Sequence, residues 1–466
     1  MQHVPALSRL LATAFLAAGC GSYEPRPLVE EAIYRDLQAI RLEALRPAAA
    51  EETSTAPPAF DASDGLSADE AIAVALFLNP DLRAFRKERG VAEGELITAG
   101  LLPNPELQVT WLHVEHFTKS LATSGFDVAL SWAPPRPGEL GAKQAQAQAR
   151  IDEVKAQIAG EEWRLAVTVR ETYAALLAAE EQLRLAESSL RLQERIRQFI
   201  RDKRQLGDAN SLDVNLVDIE LTAIVREELT VRNVRDRTRL ELNRLLGLPP
   251  LSEPRLQVAG DPLAYSPFRL DLPALERAFI AHRPDLLALK QKYEQAEQRL
   301  RLAYIQRWPW FRFGPAYAQD EINGEAGNRW GLGLGIDLPL ANLNQGEIAR
   351  LEAEREKLRE SFAARLHEAR SEVHEAYRNL EAQARLMLLF EESIRPALEE
   401  NVRLTEAGFQ AGELNLLQVI TTQDKALQSR REGLQTRFDY WKAVYELERA
   451  LGIRLRDLQE EKGSAP

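Results

Sequence analysis

Residues 142–206 contain no proline and a single interior glycine, Gly160. Read as one continuous helix, this run spans roughly 98 Å. An ordinary globular domain has no place for an element of that length. It opens Ala142-Lys143-Gln144-Ala145-Gln146-Ala147-Gln148-Ala149-Arg150, where the small side chains let neighbouring helices approach closely. Further along, Leu176, Leu183, Leu190 and Ile196 recur at helical spacing and mark a buried stripe. Gly207 then turns the chain, and a return helix is expected over 211–246.

The same plan is written twice. Asn79-Pro80-Asp81-Leu82 recurs as Arg283-Pro284-Asp285-Leu286, 204 residues later. The offset then becomes 205 and holds: Pro134 matches Pro339, Gly141 matches Gly346, and Leu246-Gly247 matches Leu451-Gly452. Gln205-Leu206-Gly207-Asp208-Ala209-Asn210 matches Gln410-Ala411-Gly412-Glu413-Leu414-Asn415. A repeated register of this kind means one architecture used twice, with repeats over 67–260 and 261–455 and a polar C-terminal tail over 456–466. Each repeat reads as a first helix (67–101; 273–306), a proline-containing break, and two strands (106–112 and 126–132; 311–317 and 329–338). A long helix (142–206; 346–411) and its return (211–246; 416–451) follow. Pro396 is expected to kink the second long helix, since it lacks the N–H that the helix needs.

The strands limit what the helices can belong to. Trp330, Leu332, Leu334, Ile336 and Leu338 alternate with Gly331, Gly333, Gly335 and Asp337. Phe126, Val128, Leu130 and Trp132 alternate with Asp127, Ala129 and Ser131, and Phe311 and Phe313 flank Arg312. This period-two pattern suits a transmembrane barrel with a wet interior; it also suits a half-buried sheet in a soluble domain. After residue 20 no apolar run approaches the 18 or so residues of a membrane-spanning helix, so any crossing must use strands. Four strands cannot close a barrel of eight or more. Three chains of four strands make twelve. On the helices alone, a pair of antiparallel coiled coils is the preferred reading, and it is the strands that shift the balance.

Composition removes several function classes. Lys plus Arg is 59 against Asp plus Glu 71, a formal charge of −12, which argues against a general nucleic-acid binder. One cysteine excludes a disulfide framework and any cysteine-rich metal site. No Ser/His/Asp or Cys/His constellation and no phosphate-binding loop is legible. Gly331-Leu332-Gly333-Leu334-Gly335 is glycine-rich, but no helix follows where one would be needed. We therefore expect no enzyme activity and no cofactor. His113 and His116, with Glu115 between them, and His367 with His374, seven residues apart on a helix, are the two candidate places for holding a cation. Polar loop character and a solvated helix face explain them more simply, so no metal site is assigned.

Residues 1–19 read as a signal peptide: Arg9, an apolar stretch over 10–16, then Ala17-Ala18-Gly19 before the sole cysteine, Cys20. The cysteine after Ala-Gly resembles a bacterial lipobox, which implies a lipidated Cys20 as the first mature residue, followed by a tether over 20–66 in which a short amphipathic helix is expected over 28–46. Ser67 and Glu70 have the spacing of a capping box, and the folded body is expected to begin there.

Beyond residue 66 the chain resembles the TolC family of outer-membrane efflux proteins. The most specific motifs are Gly207-Asp208-Ala209-Asn210-Ser211-Leu212-Asp213-Val214 and Phe409-Gln410-Ala411-Gly412-Glu413-Leu414-Asn415-Leu416-Leu417-Gln418-Val419. Leu101-Leu102-Pro103-Asn104-Pro105-Glu106-Leu107 and Gly138-Glu139-Leu140-Gly141-Ala142-Lys143 look like the heavy-metal-efflux branch. The resemblance implies a homotrimer whose twelve-stranded β-barrel sits in the outer membrane and whose long α-helical barrel projects into the periplasm. It implies passive conduction of metal cations or small toxic compounds, with a periplasmic adaptor and an inner-membrane pump as partners. It also implies that Gly207, Asp208, Asn210, Gly412, Glu413 and Asn415 lie at the adaptor-docking tips, with Asp213 near the gate. Gln418 and Thr421 stand where the family often has acids, leaving Asp424 or Glu413 to supply gate charge. Trp330, Leu332, Leu334, Ile336 and Leu338 would face lipid. A protein-secretion duct and a non-pore structural periplasmic lipoprotein are the alternatives.

Overall fold

The computed structural model describes residues 23–40, 65–113, 124–207, 209–257, 263–268, 270–322, 325–411, 414 and 416–464. Cys20, Glu115, His116, Asp208, Gly412, Glu413 and Asn415 lie outside the described residues. A short helix, α1 (Glu30–Gln38), precedes the repeats. The first repeat opens on α2 (Ala68–Leu78), and the expected capping box closes it: Ser67 Oγ accepts from the Glu70 N–H at 3.3 Å, and Glu70 Oε2 accepts from the Ser67 N–H at 2.8 Å.

The single helix expected over 67–101 is three. After α2 come α3 (Pro80–Arg86) and α4 (Glu88–Gly100). Proline holds the residue before it out of the helical region, so Asn79 stays extended at φ −55°, ψ 120° and caps α3 through a 2.9 Å bond from the Leu82 N–H. The second repeat breaks at the matching residue. Arg283 (φ −70°, ψ 115°) separates α7 (Leu272–His282) from α8 (Pro284–Gln306).

The long helices follow the sequence closely. α5 (Glu139–Gln205) runs 67 residues without interruption, and α6 (Ser211–Leu246) returns beside it. In the second repeat the long element divides into α9 (Gln345–Leu389), a π turn (Phe390–Ile394) and α10 (Arg395–Gln410), and α11 (Leu416–Leu451) returns. Pro396 thus lies two residues past the end of the π turn. There the Arg395 N–H reaches back to the Phe390 carbonyl, a wider loop than the α-helical one that proline would disrupt. The polar C-terminal segment opens as α12 (Leu455–Ser464), with Leu455 and Leu458 buried. Among the described residues no helix is long and apolar enough to cross a membrane.

Four strands form one antiparallel sheet in the order β1-β2-β3-β4: β1 (Glu106–His113), β2 (Ser124–Ser131), β3 (Trp310–Ile322) and β4 (Glu325–Asp337). The two repeats therefore contribute adjacent hairpins, and β3 and β4 are longer than the sequence pattern indicated. Pairing of β2 with β3 runs to Ala129–Ala316 and resumes at the Trp132–Phe313 bridge. In the gap lie Gly314 and Pro315. Proline has no N–H to give a ladder, and a Cβ on Gly314 would fall 1.8 Å from the Leu130 carbonyl oxygen.

Among the described residues the helices pack around two large cores and two small clusters. One large core joins α2 to α5 and α6 through Ala71, Val74, Leu78, Tyr173, Leu176 and Leu246. The other joins α7 to α9 and α11 through Leu275, Phe279, Val373, Leu380, Val444 and Leu451. A matching clasp sits at each. Asn79 Nδ2 donates to the Leu245 carbonyl at 2.9 Å, and Arg283 Nη1 donates to the Ala450 carbonyl at 3.0 Å. Each accepting carbonyl lies two residues before a left-handed glycine, Gly247 (φ 73°) or Gly452 (φ 78°). A Cβ on either would stand 2.7 Å from the Leu78 or His282 carbonyl oxygen. The sequence repeat is thus also a repeat of packing.

Sheet and helices are tied where they meet. Arg136, just ahead of α5, pairs with Glu139, donates through Nε to the Trp308 carbonyl at 3.3 Å, and lies 4.7 Å over the Trp310 ring. Glu139 is buried and also holds Lys143 at 2.9 Å. The first repeat is thereby fastened to the strand entry of the second.

The Gly314 contact yields a prediction. Gly314→Ala should destabilise the sheet by about 1–3 kcal/mol, the usual range for overpacking. Gly331→Ala, where a Cβ meets nothing within 4 Å, should stay within about 0.5 kcal/mol. Thermal unfolding of the detergent-solubilised variants checks this, and equal effects would contradict the close approach.

Candidate functional site

Cross-strand partners share a face, so the register decides what each side of the sheet presents. Leu107–Leu130, Val109–Val128 and Trp111–Phe126 align across β1 and β2. Val128 meets Tyr317 across β2 and β3. Tyr317–Trp330, Pro315–Leu332, Phe313–Leu334 and Phe311–Ile336 continue across β3 and β4. One apolar face therefore crosses all four strands. It is bare: Trp330 is 80% exposed, Leu332 89%, Leu334 68% and Ile336 54%. Leu338, just beyond β4, is exposed as well.

Aromatic rings gather toward both ends of this face. Trp111 with Phe126 and Tyr317 with Trp330 are in contact at one end; Trp132 with Phe313 and Phe311 with Phe313 are in contact toward the other. Tyr317 and Phe311 are six residues apart, about 20 Å along a strand. The opposite face is small or polar. It carries Asp127, Ala129, Ala316, Gly331, Gly333 and Gly335, with an Arg312–Asp337 ion pair at 3.1 Å.

At the far end of the long helices the first tip is well defined. α5 ends with the Gly207 N–H on the Arg204 carbonyl at 3.1 Å, and Gly207 turns the chain at φ 87°. Asn210 then caps α6. Its Oδ1 accepts from the Asp213 N–H at 3.0 Å, while Asp213 Oδ2 accepts from the Asn210 N–H at 2.9 Å. Asp213 is thus engaged as the partner in a capping box. Of the second tip, the described part shows the Ala411 N–H on the Ala407 carbonyl at 3.0 Å and the Leu414 N–H on the Gly408 carbonyl at 3.3 Å. Gln418 and Asp424 are exposed on α11.

Two features of this end were not singled out from sequence. Leu212, Leu216 and Ile219 form an exposed apolar stripe down α6, legible as helical spacing once the helix is granted. Arg431 on α11 pairs with Glu227 on α6 and donates to Ser189 Oγ on α5 at 2.7 Å, linking the two hairpins; nothing local in the sequence announces a bond of that range.

Among the described residues the histidines do not assemble into a metal site. His374 Nε2 lies 3.1 Å from Glu276 Oε1, an oxygen that Arg370 also holds at 2.9 Å. Hydrogen bonds from His374 and Arg370 keep the Glu276 carboxyl below its usual range. Among the described residues no group of three or more His, Cys, Asp or Glu side chains is placed to hold a metal ion. His113 ends β1.

The family model for "Outer membrane efflux protein" matches the chain twice, over residues 71–248 and 275–453. The two matches are offset by 204 residues at their starts and 205 at their ends, as the internal repeat is. The cobalt-zinc-cadmium resistance protein CzcC of Cupriavidus metallidurans is 24% identical over 397 residues, covering 84% of this chain and 91% of that protein. The pyoverdine export outer membrane protein OpmQ of Pseudomonas putida is 23% identical over 290 residues, 61% of each chain. The crystal structure of CusC, described in terms of folding and transmembrane channel formation, superposes with a TM-score of 0.66 at 17% identity, covering 87% of this chain and 99% of that one. With both repeats matched and the fold shared, the chain belongs to the outer membrane efflux protein family, and its function is that of an outer-membrane efflux channel.

Proposed function

We propose that three copies of this chain assemble into one conduit, with a twelve-stranded barrel in the outer membrane and a helical barrel beneath it in the periplasm. The observation that carries this reading is the sheet: a bare apolar face backed by a small, polar one, with β1 and β4 each leaving an edge unpaired within the chain. In water such a face is a liability, and in hydrocarbon it is the ordinary surface of a barrel whose lumen is wet. The aromatic clusters toward the two ends fit the two membrane interfaces. Trp330, Leu332, Leu334, Ile336 and Leu338 meet lipid, and the face with Arg312, Asp337 and the glycines lines the lumen.

The conduit is passive. A periplasmic adaptor seats on the helix tips, and an inner-membrane pump supplies the energy. The tip residues Gly207, Asp208, Asn210, Gly412, Glu413 and Asn415 form the docking end, with Asp213 holding the first turn in shape and Gln418 just above the second. The cargo class is metal cations or small toxic compounds: one relative is a cobalt-zinc-cadmium resistance protein and another a pyoverdine exporter. Cys20 carries lipid and anchors the N-terminus; the barrel supplies most of the membrane attachment, since a single chain binds only marginally. Intact mass of the membrane-extracted protein should give a mature N-terminus at a lipid-modified Cys20, and any other N-terminus rejects the anchor.

Barrel and tips should fail separately. Leu334→Arg should cost about 2–4 kcal/mol near the bilayer midplane and reduce the amount of protein in the outer membrane, with Gly333→Ser much milder. Gly207→Val should leave membrane insertion intact, because the barrel is remote, while lowering both adaptor cross-linking and resistance to exported compounds. If Gly207→Val and Gly412→Val both insert and retain full cross-linking and resistance, the turns are not the docking end.

A further inference from the structure

Among the described side chains, the small, polar face of the sheet keeps its charge at two levels. Asp127 and Arg329, both opposite Ala318, mark the level far from the helices. Glu106, Arg312 and Asp337 mark the level beside the helices. Between them the face is built from Ala129, Ala316, Gly331 and Gly333, with the uncharged Gln108 on β1. Ala318 and Arg312 are six residues apart, about 20 Å along the strand. At ordinary salt that is about two screening lengths, so the charge near the helices acts by itself.

Arg312 is the one basic side chain that the strands carry at this near level, among the described residues. Arg136 also approaches, over the Trp310 ring, but it is paired with Glu139 and largely covered. The stem of Arg312 lies across Gly335: a Cβ there would stand 3.0 Å from Arg312 Cγ and 3.3 Å from Cδ. The head then meets Asp337, two residues past Gly335 on the same face. Arg312 Nη2 donates to Asp337 Oδ1 at 3.2 Å and to Oδ2 at 3.1 Å. The two side chains are 50% and 63% exposed, and an exposed pair adds little to stability. Its effect is on the field instead. With the opposite charges side by side, an ion passing several ångströms away meets a nearly neutral wall.

We infer that Asp337 is a specificity-determining residue of the channel. By pairing with Arg312 it cancels the one positive charge that the strands turn toward the lumen at this mouth, and so keeps the mouth open to cations. The inference rests on the duct reading, which puts this face in the lumen, and adds to it the residues that select the charge of the cargo. With the pair closed, Glu106 is the charge left over on the strands at this level, and the wall is mildly acidic in every copy. With Asp337 neutralised, each copy would present an uncompensated guanidinium beside a row of glycines. Repeated around a barrel, that is a ring of the kind that disfavours cations.

Reversal potentials in a potassium chloride gradient, measured on the full-length assembly in planar bilayers, test this. Asp337→Asn should lower the potassium-to-chloride permeability ratio about twofold, and Arg312→Gln should raise it by a similar factor. Asp337→Glu keeps the charge, and the double variant Arg312→Gln/Asp337→Asn keeps the balance; both should return to the wild-type ratio. The two single-variant shifts should shrink between about 0.1 M and about 1 M salt, as screening shortens, which a mere distortion of the sheet would not produce. Shifts of the same sign in both single variants, an unchanged ratio in both, or shifts indifferent to salt would overturn the inference. Wild-type protein that conducts while both variants keep its ratio removes this selectivity alone, and wild-type protein that fails to conduct removes the duct.

Discussion

The unpaired edges of β1 and β4 set the terms for everything else in this molecule. A strand edge presents N–H and C=O groups that must find partners. In water, solvent serves; in hydrocarbon each unpaired group costs several kcal/mol. On the proposed reading the apolar face that crosses the sheet from Leu107 to Ile336 meets lipid, and both edges then have to be covered by other strands. One chain has four strands and cannot bend them into a closed barrel. The proposed closure by further copies would meet the requirement without any new element, and would make the folded unit an assembly.

The helices are tied to the sheet within the chain itself. Arg136 and Glu139 fasten the start of α5 to the Trp308–Trp310 entry of β3, so the helical wall continues the sheet at a fixed offset. Each repeat then breaks its shorter helix at one level, where Asn79 or Arg283 reaches the last turn of α6 or α11. The two breaks are not chemically equal. Asn79 makes a neutral contact, while Arg283 brings Asp285, Glu372 and Arg365 into a network. The two repeats share the geometry of the break, and Arg283 at the position matching Asn79 gives the second break its charged network.

Much of this was legible from residues. Leu246-Gly247 and Leu451-Gly452 marked the ends of α6 and α11 because a left-handed glycine stops a helix in a recognisable way. The alternation from Trp330 to Leu338 marked β4 because one face is bare and the other small. The upper parts of β3 and β4 were missed because Gln319, Asp320, Glu321 and Asn328 break that alternation. Asn79-Pro80 was visible as a pair, yet the apolar spacing runs on through it, and the break inside 67–101 went unread. Asn210-Ser211-Leu212-Asp213 had the form of a capping box, but the family resemblance drew Asp213 toward a gate. The π turn before Pro396 and the charged network at Arg283 depend on residues from distant elements, and no local pattern contains them.

Closure by three chains is the claim on which barrel, wall and tips all depend. Native mass spectrometry of the protein released from detergent micelles measures it directly. A single species of three chains, stable until the sheet itself unfolds, is the expected result. A stable monomer or dimer, or a uniform tetramer, would contradict it, because four, eight or sixteen strands would then have to satisfy the same two edges.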